Sequence, residues 1–499
     1  MCNVDLIPFL QRYASDTPWM SYVPVMAALS VVLMACTATP QGTGPLRVHP
    51  DNPRYFTDGS GRAVYLTGSH TWKNFATDGG TTDPPIPFDY DRYLDFLAAY
   101  NHNFFRGWVW ELAWSTHNNG ALSYHWDPFP WKRTGPGNAT DGKPKFDLDQ
   151  FNPAYFDRIR SRLIAARDRG FYVSIMLFQG WALELARNAR DGFPLDGPNN
   201  VNGVDAGGGY KSHTLENPAV TARQEAYVRK IIGTVNDLDN VLYEISNESG
   251  SYSTAWQIHM IEFIKRCEAT RPKQHPVGMT VEYKDGSNAR LFSSPADWIS
   301  PNGEDGYGSD PPVATGRKVV LNDTDHSFYW TSLKKAGPAA QRAWVWKNFL
   351  RGNQPLFMDP YLDKRPERNA PVGTDPRDPH FGLRVDPYWD TIRKAMGQTL
   401  AYATKVNLAA MTPDVALSST AYCLARPGSE YLVYQPAPDT AFTVTLAAGT
   451  YAFEWFNPGA GAVASTGTFT AGDESRSFTA PFSGDAVLYL KSTIRNNAP

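Results

Sequence analysis

Two acidic clusters follow apolar runs of the chain and could carry acid/base chemistry. The run Val241–Ser246 leads directly into Asn247 and Glu248, so an amide stands beside a carboxylate. A later apolar run is followed closely by Asp323 and Asp325. Retaining hydrolysis of a glycosidic bond needs two carboxyl groups about 5 to 5.5 Å apart, one to protonate the leaving oxygen and one to attack the anomeric carbon. The two clusters can supply such a pair if their strands end at the same rim.

The elements that must position these acids are short apolar runs that alternate with amphipathic helical stretches, a pattern typical of a parallel sheet wrapped by helices. Eight such runs fit a (β/α)8 barrel over residues 46–411, and no glycine-rich nucleotide-binding fingerprint follows the first run. In this fold the chemistry lies at the carboxyl ends of the strands. The predicted strands are Val64–Gly68, Asn103–Val109, Tyr172–Phe178, Val241–Ser246, Val277–Val281, Trp298–Ser300, Lys318–Leu321 and Pro355–Met358.

Other polar residues also fall at predicted strand ends and are expected to line the pocket, although each could be structural. They are His70, Gln179, Glu282, His326 and Asp359. His326 stands next to two acids and could ligate a metal, but Asp-x-Asp-His on one strand end is a weak metal motif. We expect neither a metal nor a cofactor.

Five tryptophans crowd the end of the second predicted strand and the loop region after it: Trp108, Trp110, Trp114, Trp126 and Trp131. Tryptophan most often serves packing, yet its ring can also stack against the C–H face of a sugar. We expect Trp108 to belong to the core and two of the others, with Trp110 as the named candidate, to line the substrate cleft.

The sequence pattern changes near residue 412, where helical periodicity ends and short alternating strands with glycine-rich turns begin. The chain from 412 to 493 is predicted to form a small all-β sandwich. Its expected strands include Tyr431–Tyr434, Phe442–Leu446, Tyr451–Phe456 and Ala486–Leu490.

The first 36 residues are predicted to be an export signal. The stretch Tyr22–Ala35 is apolar for about 14 residues, which suits the core of a signal peptide better than a membrane span. It ends at Leu33-Met34-Ala35-Cys36, which resembles a bacterial lipobox, so Cys36 could be lipidated and attach the protein to a membrane. Ordinary secretion is the alternative. Residues 37–45 have the composition of a flexible linker.

Composition excludes several partners and classes. With 47 Lys plus Arg against 50 Asp plus Glu, the net charge of -3 gives no reason to expect a nucleic-acid partner. The four cysteines are too few and too scattered for a disulfide framework. Aromatic residues reach 13%, which is incompatible with a disordered chain.

The Asn-Glu pair on strand four, with a second acid after strand seven, resembles the clan A glycoside hydrolases. The opening segments 46–48, 55–56 and 66–68 resemble the start of the apiosidase-like barrels in particular. The tail, with Glu454-Trp455-Phe456-Asn457-Pro458 and the segment 481–485, is similar to a β-sandwich of the collagen-binding type that often follows such barrels.

This resemblance implies roles for individual residues. It makes Glu248 the general acid/base, Asn247 the ligand of the sugar's 2-hydroxyl, and Arg106 the support of the nucleophile. At strand seven the sequence departs from the clan, which usually has Glu where this chain offers Asp323 and Asp325. Strand register favours Asp323 as the nucleophile, and Asp325, nearer the mouth, is the alternative.

The shorter aspartate side chain leaves an inverting reaction open, and either aspartate could instead cap the next helix. Arg106 could simply pair with an acid inside the barrel.

The sequence therefore predicts an exported barrel glycosidase that acts on a plant or microbial polysaccharide by a two-carboxylate mechanism, retention being preferred. The sugar and the linkage stay open. The rival interpretation is a non-catalytic carbohydrate- or matrix-binding protein on a barrel scaffold. A peptidase is disfavoured, since neither His-Glu-x-x-His nor Gly-x-Ser-x-Gly occurs.

Overall fold

The computed structural model describes residues 44–110, 112–117, 122–185, 188–362 and 385–493, with the backbone alone at 114–117, 122, 123, 185 and 330. The predicted signal segment 1–36, including Cys36, lies outside these ranges. Of the predicted linker 37–45, only the last two residues fall inside them.

Eight parallel strands form one sheet in which neighbours in space are neighbours in the chain. The last strand pairs with the first, with Leu356 opposite Gly68. The first and second strands also meet, because Asn103 N donates a hydrogen bond of 3.1 Å to Thr67 O. This closure confirms the predicted barrel. The strands are β1 Gly68–His70, β2 Phe104–Gly107, β3 Tyr172–Gln179, β4 Val241–Asn247, β5 Val277–Thr280, β6 Trp298–Ser300, β7 Val319–Asp323 and β8 Gln354–Met358.

The first strand was predicted too early in the chain. Val64 belongs instead to a small antiparallel arrangement below the barrel, where its backbone exchanges hydrogen bonds of 3.3 and 2.7 Å with Phe56. Phe56–Thr57 also pairs with Arg47–Val48. The barrel strand begins only at Gly68, where an added Cβ would lie 2.1 Å from the carbonyl oxygen of Phe104, so glycine permits the close approach of β2.

Helices connect most of the strands. Several begin at capping side chains: Asn152 and Asn217 each accept a hydrogen bond from a backbone N–H of the first turn and precede a proline. Residues 301–318, all described, contain a 3-10 turn and no α-helix. The helices are α1 Tyr90–Ala99, α2 Pro153–Asp168, α3 Trp181–Leu185, α4 Pro218–Val235, α5 Thr254–Glu268, α6 Asn288–Ser293, α7 Trp330–Leu350, interrupted at Gly337, and α8 Asp390–Lys405. None of these described helices has both the length and the apolar character needed to cross a bilayer.

Two additional β elements cover the rim after β2. The first joins Asp78–Gly80 to the hairpin of Trp114–His117 and Leu122–Asp127. The second is the pair Trp131–Asn138 and Pro144–Phe151. They place aromatic side chains beside the barrel mouth.

The C-terminal elements form two antiparallel sheets, as a β-sandwich requires. One sheet has six strands in the order β9-β10-β11-β16-β13-β14, and the other pairs β12 with β15. The strands are β9 Thr412–Pro413, β10 Cys423–Arg426, β11 Glu430–Gln435, β12 Phe442–Leu446, β13 Gly449–Asn457, β14 Ala462–Ala471, β15 Glu474–Phe478 and β16 Ala486–Ser492.

The larger sheet packs against α7 and α8. Trp346 on α7 is fully buried in a shared apolar cluster with Tyr402 on α8 and with Tyr434 on β11. At the edge of this cluster Arg342 forms an ion pair with Asp485, which also accepts a hydrogen bond of 2.8 Å from the Tyr434 hydroxyl. The sandwich is therefore fixed to the outside of the barrel.

Candidate active site

A cavity of about 830 Å³ opens at the carboxyl ends of the strands, and every strand contributes a residue from its end or from the loop that follows. This is the rim at which barrel enzymes carry their chemistry. The residues that line the cavity include Trp72, Trp108, Trp110, Gln179, Trp181, Asn247, Glu248, Glu282, Asn302, Asp325, His326, Tyr329 and Met358.

Arg106 on β2 organises the floor beneath this cavity. Its Nε donates a hydrogen bond of 3.0 Å to Glu244 Oε2. Its Nη1 donates to Asp323 Oδ2 at 3.0 Å and to Asp325 Oδ2 at 3.2 Å. Its Nη2 donates to Glu244 Oε1 and, at 2.7 Å, to Asn247 Oδ1. The guanidinium is fully buried and outside the cavity lining, so it supports the acids and does not reach a ligand.

Asp323 is enclosed and its oxygens are already engaged. Oδ2 accepts hydrogen bonds from Arg106 and from His70 Nε2, the latter at 2.7 Å, and Oδ1 accepts from the backbone N–H of Asp325 at 3.0 Å. Burial opposes ionisation of this carboxyl, but His70 and Arg106 more than offset that effect and hold its pKa well below the usual range. Asp323 is therefore a carboxylate beneath the cavity, and its position does not support the role of nucleophile predicted from strand register.

His70 lies behind Asp323 and does not line the cavity, contrary to the sequence expectation. The Trp108 indole N–H donates to His70 Nδ1 at 3.0 Å, so Nδ1 is an acceptor and Nε2 carries the proton. Nε2 of His70 therefore donates to Asp323 Oδ2. Its role is to support that carboxylate.

Asp325 lies two residues further along and lines the cavity. Its Oδ2 is 3.2 Å from Arg106 Nη1 and 3.5 Å from His326 Nε2. Burial raises the pKa of Asp325 to about 6, with Arg106 lowering it and the charge of Asp323 raising it. At neutral pH this carboxyl is mainly ionised and faces the cavity.

Glu248 follows the end of β4 with a left-handed backbone, φ 50°, which is uncommon for a residue other than glycine. Among the described residues its carboxyl group has no hydrogen-bond partner. Burial, followed by the charge of Asp325, raises the pKa of Glu248 well above its ordinary value. One oxygen of Glu248 lies within 4.8 Å of one oxygen of Asp325, so a carboxyl whose pKa is raised well above its ordinary value faces one whose pKa is about 6.

Asn247 and His326 flank this pair. His326 Nε2 lies 3.1 Å from Asn247 Oδ1, which also accepts from Arg106, and His326 Nδ1 lies 3.2 Å from the Ser300 hydroxyl. Burial, and then the charge of Arg106, lower the pKa of His326 to about 3, so the ring is neutral. Since Asn247 Oδ1 is an acceptor, Nε2 of His326 carries the proton.

The sequence left open whether His326 and the neighbouring acids ligate a metal ion. Glu248, Asp325 and His326 each offer a ligand atom within 4.8 Å of the others. However, Nε2 of His326 donates to the amide and has no free lone pair in this tautomer. In this tautomer the Nε2–H of His326 is directed to Asn247, while Glu248 and Asp325 present their carboxyl groups to the cavity.

Gln179 and Glu282 line the cavity as predicted strand-end residues. Gln179 Oε1 accepts from the backbone N–H of Trp181 at 2.9 Å, while its Nε2 has no acceptor within the described structure. Glu282 accepts a hydrogen bond from the Thr254 hydroxyl. Gln179 thus retains a donor in the wall of the cavity.

Asp359, also expected in the pocket, does not line it. Its carboxylate forms two hydrogen bonds with Arg393 of α8, at 2.7 Å to Nε and 2.6 Å to Nη2, and both side chains are fully buried. The prediction that Asp359 lines the pocket was wrong because Arg393 on the last helix binds its carboxylate.

The tryptophans after β2 form a ladder in which Trp110 lies between Trp108 and Trp126, with ring centroids 5.9 and 4.1 Å away. All three line the cavity, yet they are only 2 to 5% exposed, so they present edges to it. Trp131 packs elsewhere, against Tyr227. The side chain of Trp114 lies outside the described part of the chain. Trp110 therefore offers no open face for a sugar to stack on.

Sequence reasoning missed Glu244, Trp72, Trp181 and Tyr329. A visible signal existed for Glu244, because a carboxylate in the middle of an apolar strand must find a partner. Trp72 and Trp181 each lie two residues after the last residue of a barrel strand, a position that points to the rim. Tyr329, which is 50% exposed, stands before α7 and carried no such signal.

Searches by sequence find no matching family model and no matching curated protein. Solved structures do share the fold. A glycoside hydrolase family 5 protein from Bacteroides vulgatus ATCC 8482 matches with a TM-score of 0.59 and 14% identity, over 91% of this chain and 95% of that chain. A second protein of the same strain, whose assignment to the glycoside hydrolases is provisional, matches with a TM-score of 0.60 and 14% identity, over 91% and 84%.

A further structure described as a glycoside hydrolase matches with a TM-score of 0.54 and 13% identity, over 90% of this chain and 97% of that chain. The chain is thus similar in fold to these proteins over about nine tenths of its length. The predicted likeness to glycoside hydrolase barrels is confirmed at the level of the fold.

Proposed function

We propose that the protein is a retaining glycoside hydrolase in which Glu248 is the general acid/base and Asp325 is the nucleophile. The observation that carries this proposal is the pair of carboxyl oxygens within 4.8 Å of each other at the barrel mouth, one on a group with a raised pKa and one on a group ionised at neutral pH. Environments that push two carboxyl pKa values apart are typical of an acid and a nucleophile. The upper limit of 4.8 Å between these oxygens fits the separation of about 5 to 5.5 Å in retaining enzymes better than the about 6.5 to 9.5 Å of inverting ones.

The reaction would run in two steps. Asp325 attacks the anomeric carbon while Glu248 gives its proton to the leaving oxygen, so the glycosidic bond breaks and a glycosyl ester forms on Asp325. Glu248, now ionised, then takes a proton from a water molecule, whose oxygen attacks the anomeric carbon and releases Asp325. Both carboxyl groups return to their starting protonation states, and no cofactor is consumed.

Charge around the site supports this course. When Asp325 is ionised, Arg106 faces three buried carboxylates, those of Glu244, Asp323 and Asp325. The excess negative charge would stabilise the positive charge that develops at the anomeric centre, in surroundings that screen it little. Arg106 itself holds Asp325 in place and favours its ionised form.

Two amides are suited to hold the sugar. Asn247 uses Oδ1 for Arg106 and His326, and its Nδ2 makes no hydrogen bond to the described residues, so it could donate to the sugar's 2-hydroxyl. Gln179 has an unpaired Nε2 in the cavity wall. Buried donors without acceptors are costly, and a bound hydroxyl would relieve that cost.

The finer predictions from sequence belong to the same proposal. The substrate would be a plant or microbial polysaccharide, and the barrel would resemble the apiosidase-like barrels in function. The collagen-binding-type sandwich would act as an accessory module, since it lies outside the barrel and its described residues do not line the cavity. Export through the segment 1–36, with lipidation of Cys36 as one outcome, would bring the enzyme to its polymer. The non-catalytic alternative leaves the facing acids without a purpose.

The test is hydrolysis by the purified protein. Aryl glycosides of mannose, glucose, galactose, arabinose, rhamnose and apiose, and then pectic and hemicellulosic polysaccharides, would be screened for released phenol or reducing sugar. We expect turnover of at least one substrate, and a loss of about 10²- to 10⁴-fold in Glu248→Gln on substrates with poor leaving groups. Binding without turnover by the wild type would favour the non-catalytic alternative.

A further inference from the structure

We propose that Glu184 on α3 is a positioning residue that holds the backbone of the Glu248 turn in its left-handed conformation; this inference rests on the proposed function. The supporting observation is a set of short contacts between α3 and the turn after β4. Glu184 does not line the cavity, so it would act through Glu248 and not on the substrate.

Glu184 contacts the turn through a single oxygen. Its Oε1 accepts a hydrogen bond of 3.1 Å from the backbone N–H of Gly250, two residues after Glu248. The same oxygen accepts from the Tyr252 hydroxyl. One carboxylate therefore ties together two points of the turn that follows the acid.

The residue at 250 is matched to this contact. A Cβ added to Gly250 would lie 2.8 Å from Glu184 Oε1 and 2.5 Å from a ring carbon of Tyr252. Any larger residue would force the carboxylate away from the backbone N–H. The glycine is required by close approach and not by its own conformation, since its φ is -66°.

The turn needs such support because Glu248 has a φ of 50°. The left-handed conformation costs a residue other than glycine on the order of 1 kcal/mol or more, and it persists only where the surrounding structure enforces it. Relaxation to a right-handed or extended backbone would swing the side chain away from Asp325. A displacement of about 1 Å at a reacting group can cost about 100-fold in rate.

Ser249 is held from the other directions. Its hydroxyl lies 2.5 Å from that of Ser246 and 2.9 Å from His213 Nδ1, and its carbonyl accepts from Tyr283 N at 3.0 Å. At the exit of the turn the carbonyl of Gly250 accepts from the backbone N–H and the hydroxyl of Ser253, at 2.9 and 2.7 Å. Glu184 adds the hydrogen bond to the N–H of Gly250, on the side that leads back to Glu248.

The experiment compares two substrates of one sugar that differ in their need for acid catalysis: a 4-methoxyphenyl glycoside and a 2,4-dinitrophenyl glycoside. Only the first has a leaving group that must be protonated, so a misplaced acid slows it selectively. Glu184→Ala removes the acceptor, while Glu184→Gln keeps an oxygen for both donors. Glu225→Ala is the control, because Glu225 pairs with His259 on the outside of the barrel, between α4 and α5.

We expect Glu184→Ala to lower kcat for the methoxyphenyl glycoside by about 10- to 100-fold, with KM little changed. The dinitrophenyl glycoside should lose less than about threefold. Glu184→Gln should recover most of the loss, and Glu225→Ala should leave the ratio of the two rates unchanged. A variant with Tyr252→Phe, which removes one of the two donors, should show the same selectivity at smaller size and serves if Glu184→Ala does not fold.

Equal losses on both substrates, or no loss in Glu184→Ala and Tyr252→Phe, would overturn the positioning role while leaving the glycosidase intact. Absence of any hydrolysis by the wild type would instead overturn the proposed function, and the inference with it. Failure of Glu184→Gln to recover the rate, in a variant that melts like the wild type, would also contradict the role assigned to the oxygen.

Discussion

Replacement of Asp323 by Asn should move the acid limb of the activity profile to lower pH. In the wild type kcat/KM should fall as pH drops through about 6, because Asp325 must be ionised to attack. The charge of Asp323 raises that pKa, so its removal favours the ionised form of Asp325. The variant keeps a side-chain oxygen that can accept from Arg106 or His70.

The size of the shift follows from the geometry. Asp323 Oδ2 and Asp325 Oδ2 both accept from Arg106 Nη1, at 3.0 and 3.2 Å, so these two oxygens lie no more than about 6 Å apart. At about 6 Å two unit charges repel each other by about 2.8 kcal/mol at an effective dielectric constant of about 20. That energy corresponds to about 2 pH units, and rearrangement around the new amide should reduce it to between about 1 and 2.

The assay is the pH dependence of kcat/KM on an aryl glycoside, with Asp359→Asn as the control. Asp359 is also buried and paired with an arginine, but it lies outside the cavity, so its variant should keep the limb of the wild type. An unmoved limb in Asp323→Asn, or one at higher pH, would refute the electrostatic reasoning. A loss of about 10⁴-fold or more at every pH would make Asp323 the nucleophile.

Three further outcomes are expected. Gln179→Met, which removes the unpaired donor together with the oxygen that accepts from Trp181 N–H, should lower kcat/KM by about 5- to 10-fold, measured on the best aryl glycoside. Arg393→Met should lower the free energy of unfolding by about 3 to 5 kcal/mol in a denaturant titration, because Asp359 would be left buried without its partner. Arg342→Met should lower the melting temperature by about 2 to 4 °C through the lost pairing with Asp485, with kcat/KM unchanged, since the sandwich does not line the cavity.

The barrel could be predicted because each strand is an apolar run followed by polar residues, and that pattern depends only on local sequence. The same logic located Asn247, Glu248 and Asp325 at the rim. The first strand was predicted at Val64–Gly68 because this segment is apolar, and an apolar segment fits a barrel strand as well as the antiparallel pairing that Val64 in fact makes. The choice depended on Phe56, whose backbone pairs with Val64.

Local pattern could not separate Asp323 from Asp325, since they lie two residues apart at the end of the same strand and share the same parity. The structure separates them through His70, 253 residues away in the chain, which forms a hydrogen bond with Asp323, while Asp325 lines the cavity. Asp359 was misassigned for the same reason, because Arg393 reaches it from a helix that sequence could not orient. A long-range partner, more than residue type, decides which strand-end acid faces a ligand.

Covalent labelling tests the central claim most directly. The protein would be inactivated with the 2-deoxy-2-fluoro 2,4-dinitrophenyl glycoside of the sugar it hydrolyses, digested, and mapped by mass spectrometry. The proposed mechanism predicts one sugar per chain, attached to Asp325. A label on Asp323, or no label together with a product of inverted anomeric configuration, would contradict it.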